Sequence, residues 1–145
     1  MEATLTGFLD GAIAPEDLLL RYRIGDAGSD ETTLELRGDG RYAAASTATA
    51  GGRRLAYAGT LPAADARALI SSLAEAHVWE ARHVKRRRPK GDPPAALSVS
   101  AGGREAEVEL WASEIADVPQ FAAAQATVLD LIRRVSGGEV LEPGR

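Results

Sequence analysis

Apolar residues recur along this chain with two different periods, and the places where one period gives way to the other outline the fold. Leu18, Leu20, Tyr22 and Ile24 alternate with Arg21 and Arg23, the period-two pattern of a strand with one buried face. The stretch 31–37 repeats it, with Thr32, Leu34 and Leu36 facing inward. A third strand follows from Arg41 to Ala50, rich in Ala, Ser and Thr and therefore dependent on its neighbours for burial. A fourth spans 53–59, setting Leu55 and Tyr57 against Ala56 and Ala58. The clearest pair comes later: Leu97, Val99 and Ala101 alternate with Ser98 and Ser100, then Ala106, Val108 and Leu110 alternate with Glu105, Glu107 and Glu109. Gly102 and Gly103 between them supply the positive φ angles of a tight hairpin. The Asp39–Gly40 pair after Gly38 predicts a second type I′ hairpin, and Gly51 and Gly52 mark a further turn.

Between and after these strands the period becomes helical. Leu61, Ala66, Leu69, Ile70, Leu73 and Ala76 form one stripe, with Pro62 in the first turn and an end near His77 or Val78. A second helix is expected from Asp117 to Ser136, its stripe made by Phe121, Val128, Leu131, Ile132 and Val135. Asp117 is the expected N-cap and Pro119 belongs to the first turn. Arg133 and Arg134 suit the negative end of the helix dipole, and Gly137 and Gly138 stop the helix. The prediction is an α+β domain over residues 18–138, with about six mainly antiparallel strands, two helices packed on one face, and the order ββββαββα. Residues 1–17 are expected as a short helix or a loose arm, and residues 139–145 as a tail.

At 145 residues one core is the expectation, and an apolar fraction of 45% is ordinary for it. The absence of cysteine excludes disulfides, thiolate metal sites and a cysteine nucleophile. The N-terminus lacks the basic start and unbroken apolar run of a secretory signal, and no run approaches the ~18 apolar residues of a membrane span, so a cytoplasmic protein with no membrane contact is expected. Net charge is −4, but Arg82, Lys85, Arg86, Arg87, Arg88 and Lys90 concentrate six cations with no acid among them. The rest of the chain holds 11 basic against 21 acidic residues. One basic loop, spanning about 80–94, sits on an acidic body.

The catalytic inventory is thin. His77 and His83 are six residues apart, where a helical metal pair needs i, i+4 spacing, and His77 reads as a boundary residue beside Trp79. No nucleophile elbow, Walker loop or dinucleotide fingerprint occurs, so no cofactor is expected, and the glycines around Asp39 read as a turn rather than a calcium loop. Glu107 and Glu109 share a strand face at about 7 Å, which leaves a small hydrolase using acidic residues, with or without a divalent ion, as an alternative. The basic run reads as a docking loop for an acidic protein, as a solvated loop, or as a nucleic-acid contact. The last is disfavoured by the acidic body and by the lack of aromatics interleaved with the cations. Trp111 should share the outward face with Glu109 unless the strand end twists it inward; exposed, it would anchor an interface. The partner-binding candidates are therefore Arg82, Lys85, Arg86, Arg87, Arg88, Lys90 and Trp111. An open sheet face and free strand edges also make self-association reasonable.

The stretch 34–42, the stretch 57–61 leading into a helix, Asp92 ahead of the 97–103 hairpin, and the closing helix together resemble a loose set of small bacterial α+β domains. One such family has no assigned function. The emfourin-like family has a similar order of elements over about residues 18–136, and its characterised member inhibits a thermolysin-type metallopeptidase. That resemblance implies a non-catalytic protein-binding module, a peptidase inhibitor or accessory subunit, and it assigns no inhibitory residue in this chain.

Overall fold

The structure is a computed structural model and describes residues 1–25, 31–47, 54–84, 87 and 91–137. Four strands, β1 (Leu19–Gly25), β2 (Glu31–Arg37), β3 (Arg41–Thr47) and β4 (Arg54–Thr60), form an antiparallel meander. Helix α2 (Ala63–Glu75) then carries the chain back across the sheet, so that β5 (Pro94–Ala101) pairs with the free side of β1 and β6 (Arg104–Trp111) pairs outside β5. The result is one six-stranded sheet of order β4-β3-β2-β1-β5-β6. Every neighbouring pair is antiparallel.

The period-two faces fall where the sequence puts them. Leu18, Leu20, Tyr22, Ile24, Thr32, Leu34 and Leu36 are each at most 2% exposed. Cross-strand pairing aligns Tyr22 with Leu34 and Leu97, and Leu97 with Val108, so one row of side chains runs across the sheet beneath the helices. From α2 the core receives Ala66, Leu69, Ile70 and Leu73. From α3 (Pro119–Ser136) it receives Phe121, Ala124, Val128, Leu129, Leu131 and Ile132. Gln125 of α3 donates to the Tyr22 hydroxyl at 3.0 Å, satisfying the one polar atom that the Tyr22 side chain brings into the core.

A third helix, α1 (Glu2–Leu9), packs beside α2 and sends Leu5 and Phe8 into the same core. Its last turn is tied down by Arg67 of α2, which donates to the Leu9 carbonyl at 2.6 Å. The N-terminal segment is therefore part of the helical layer. Its eight residues carry too few apolar positions for periodicity alone to separate a helix from an arm.

Two local expectations are corrected. The turn after β2 is not type I′: Gly40 has φ +104° while Asp39 does not reach positive φ, and the Gly40 N–H closes a turn on the Arg37 carbonyl at 2.9 Å. Asp39 instead uses its carboxylate to accept from the Arg41 backbone N–H at 3.1 Å and from Arg41 Nε at 2.9 Å, a local bond that a mirror-image turn would forgo. The expected cap of the last helix also shifts. Asp117 ends a 3₁₀ turn spanning Ala112–Asp117, Val118 takes the cap position, and α3 begins at Pro119. At the 95–111 hairpin the prediction stands: Gly102 and Gly103 have φ +58° and +78°. The Gly51–Gly52 turn, the end of the third predicted strand beyond Thr47, Gly138 and the 139–145 tail lie outside the described residues.

Candidate functional site

The chain leaves α2 through His77, whose left-handed φ of +54° breaks the helix, and passes through a 3₁₀ turn at Val78–Glu80 in which Val78 is buried. Of the residues between this turn and β5, the described ones (81–84, 87 and 91–93) belong to no helix or strand. Two carboxylates fasten this connection to the 3₁₀ turn at Ala112–Asp117, one at each end.

At the first end stands Glu114, a fully buried acid. Its carboxylate accepts from the Val84 N–H at 3.1 Å, from the Trp111 N–H at 3.0 Å and from the His83 ring at Nδ1. Burial of a carboxylate costs several kcal/mol unless it is compensated, and these donors supply the compensation. The His83 ring also lies against the Trp111 indole, centroids 5.4 Å apart. At the second end Asp92, 9% exposed, accepts from the Ser113 N–H at 3.0 Å and from the Ser113 hydroxyl. The Ala112 N–H donates to the Pro93 carbonyl at 2.9 Å, which closes the join. Both stems of the basic loop are thus held by one short turn, at Val84 on one side and Asp92 on the other.

The sequence-derived candidates divide accordingly. Arg82 is exposed, and its Nη1 donates to the carbonyls of Trp79 at 2.7 Å and Ala81 at 2.8 Å, bracing the stem. Arg87 is exposed. Lys85, Arg86, Arg88 and Lys90 lie outside the described residues. Trp111 is half-buried at the end of β6, its face turned to His83, so it supports the stem instead of standing free on the sheet. Val84, beside the Glu114 anchor, is the single large hydrophobic exposed among the described residues, at 57%.

Glu114, His83, Ser113 and the anchoring role of Asp92 are what sequence reasoning missed. His83 and Glu114 are 31 positions apart, so no local pattern links them. The one available signal is an acid three residues beyond the strand end at Trp111, the spacing at which a carboxylate reaches back to a free N–H.

On the opposite side of the sheet from the helices, a shallow depression of about 630 Å³ is lined by Arg21, Arg23, Thr33, Ala45, Ala56 and Glu107, among others. Arg21 and Glu35 pair across it at 3.3 Å, both about half exposed. Glu107 lines the depression, Glu109 does not, and no histidine reaches it. Among the described residues no group of three or more His, Asp or Glu side chains converges to hold a metal ion. No described helix is long and apolar enough to cross a membrane. Neither protein-family models nor curated protein sequences give a match to this chain.

Proposed function

We propose that this protein is a non-catalytic binding module that presents its basic loop to an acidic surface on another protein. The observation that carries the reading is the double carboxylate clasp: two buried acids are spent on fixing, at Val84 and Asp92, the ends of a loop that holds five of the chain's 17 basic residues, with Arg82 just before it. A loop with fixed ends loses less conformational freedom when it docks, which raises affinity without adding a contact. The cations provide electrostatic steering, and Val84 provides an apolar contact at the edge of the loop. Inhibition of a peptidase is the concrete form that the emfourin-like resemblance implies, although that resemblance assigns no inhibitory residue or loop in this chain.

The test uses the purified chain and partners recovered on it, each then purified and titrated back. Replacing Arg86, Arg87 and Arg88 together by Ala should weaken binding by about tenfold or more, and raised salt should weaken it further. Glu114→Gln, which loosens the clasp without touching the cations, should weaken binding through loop order alone. A partner that binds both variants as tightly as the parent would overturn the reading.

A further inference from the structure

The two edges of the sheet are guarded differently. On β6 the outward row is Glu105, Glu107 and Glu109, charges that repel a second strand, and the strand runs directly into the clasped turn. On β4 the sequence from Arg54 to Thr60 has one charge, at its first residue, followed by Leu55, Ala56, Tyr57, Ala58 and Gly59. It has no proline, and among the described residues β4 pairs with β3 alone and no helix packs extensively against it. Ala56, Ala58, Gly59 and Thr60 are exposed, and Leu55 and Tyr57 are half-buried. A seven-residue edge of this kind offers a row of backbone N–H and C=O groups with a single charge, at its first residue, to set against a matching strand.

We propose that β4 is a homodimer interface, on which a second copy of this chain adds its own β4 antiparallel about a twofold axis at Tyr57. The composition of the strand selects this occupant. About Tyr57 the strand is nearly self-complementary: Ala56 falls opposite the second copy's Ala58, Leu55 opposite its Gly59, and Arg54 opposite its Thr60. The two arginines then stand at opposite ends of the strand pair, so like charges stay apart. On the open face alanine meets alanine, side chains small enough to let the two strands approach closely. On the helix-bearing face, where Tyr57 pairs with the buried Ala44, the two Tyr57 rings become cross-strand neighbours and Leu55 gains cover. The two six-stranded sheets become one continuous sheet. The stems of the basic loop lie at the β5–β6 side, so the dimer carries the two pairs of stems at its outer ends.

Sedimentation velocity from about 1 µM to about 1 mM should show a concentration-dependent monomer–dimer equilibrium. Ala58→Lys, a substitution at an exposed position, should weaken the dimer by about tenfold or more while leaving the thermal midpoint of the monomer in place. Glu107→Lys on the opposite edge should leave the equilibrium unchanged. Because the chain has no cysteine, Tyr57→Cys provides an independent check: mild oxidation should give a disulfide-linked dimer, and Glu107→Cys should not. A chain that stays monomeric throughout the range, or a dimer indifferent to Ala58→Lys, would overturn the proposal. So would oxidative cross-linking of the Glu107→Cys variant in preference to the Tyr57→Cys variant.

Discussion

The β6 side of the sheet ends in anchorage and the β4 side ends in exposure. β6 packs its Leu110 fully out of water, turns into the Ala112–Asp117 segment, and is held there by Glu114 and Asp92. β4 carries no fully buried residue and is tied to the rest mainly through β3. The core is therefore asymmetric. Its cohesion is concentrated under β1, β2, β5 and β6, where the helices lie, and the last strand of the meander is the most weakly held. A fold of this kind opens locally from one side before it opens as a whole.

The sharpest way to expose that asymmetry is to delete the same side chain on both sides. Leu110→Ala empties a fully buried site and should cost about 3–4 kcal/mol of unfolding free energy. Leu55→Ala, on half-buried β4, should cost about 1 kcal/mol, the value for apolar area removed from water with little cavity left behind. Urea titration of both variants measures the contrast. Equal losses would mean that β4 is as firmly packed as β6.

Next in size is the backbone tie that extends the β3–β4 pairing past the end of β4. The Leu61 N–H donates to the Gly40 carbonyl at 2.9 Å, and Gly40 has φ +104°. A methyl group there would lie 2.2 Å from the Leu61 carbonyl oxygen, inside contact distance of a backbone atom that cannot swing away. Gly40→Ala should therefore cost about 3 kcal/mol, from the backbone conformation and the overlap together. Hydrogen exchange should quicken first at β4 and at the start of α2. If protection falls first at β6 instead, the weak side has been misplaced.

How much of this is readable from the residues depends on range. The strand faces are, because period two acts between neighbours: each of Leu18, Leu20, Tyr22 and Ile24 is buried and Arg21 and Arg23 are exposed. The glycine pair at 102–103 is, because positive φ at both positions is a local demand. The clasp is not, because its contacts join positions 83 and 114, and 92 and 113, which come together only after α2 has crossed the sheet. Asp117 misleads as a cap for the opposite reason. Locally it suits the role, but the turn at Ala112–Asp117 is engaged by the loop stems, and the helix starts later.

Breaking the clasp sharpens the contrast from the strong side. Glu114→Gln keeps the shape, removes the charge that faces His83, and should cost about 2 kcal/mol. Exchange protection should fall at the Val84 and Trp111 amides while β4 is unaffected, since the two edges share no hydrogen bond.

The smallest expected effect belongs to Asp39, in the turn between β2 and β3 on the exposed side. The backbone N–H of Arg41, with the Arg41 guanidinium beside it, holds the Asp39 carboxyl below its ordinary value near 3.8. A carboxyl with a lowered folded pKa stabilises the fold above its unfolded pKa, and the contribution is lost as pH falls through the folded value. Asp39→Asn should thus reduce stability slightly at neutral pH, and the difference from the parent should shrink as the pH falls through the lowered folded pKa and the carboxyl is protonated in both states. Because the carboxylate lies at the surface and is partly open to water, salt should shrink the difference further. Acid titrations of the two proteins should converge at the low end. Parallel curves would show that the Arg41 bond to Asp39 contributes nothing, and that the turn is held by its backbone hydrogen bonds, among them Gly40 to Arg37 and Leu61 to Gly40.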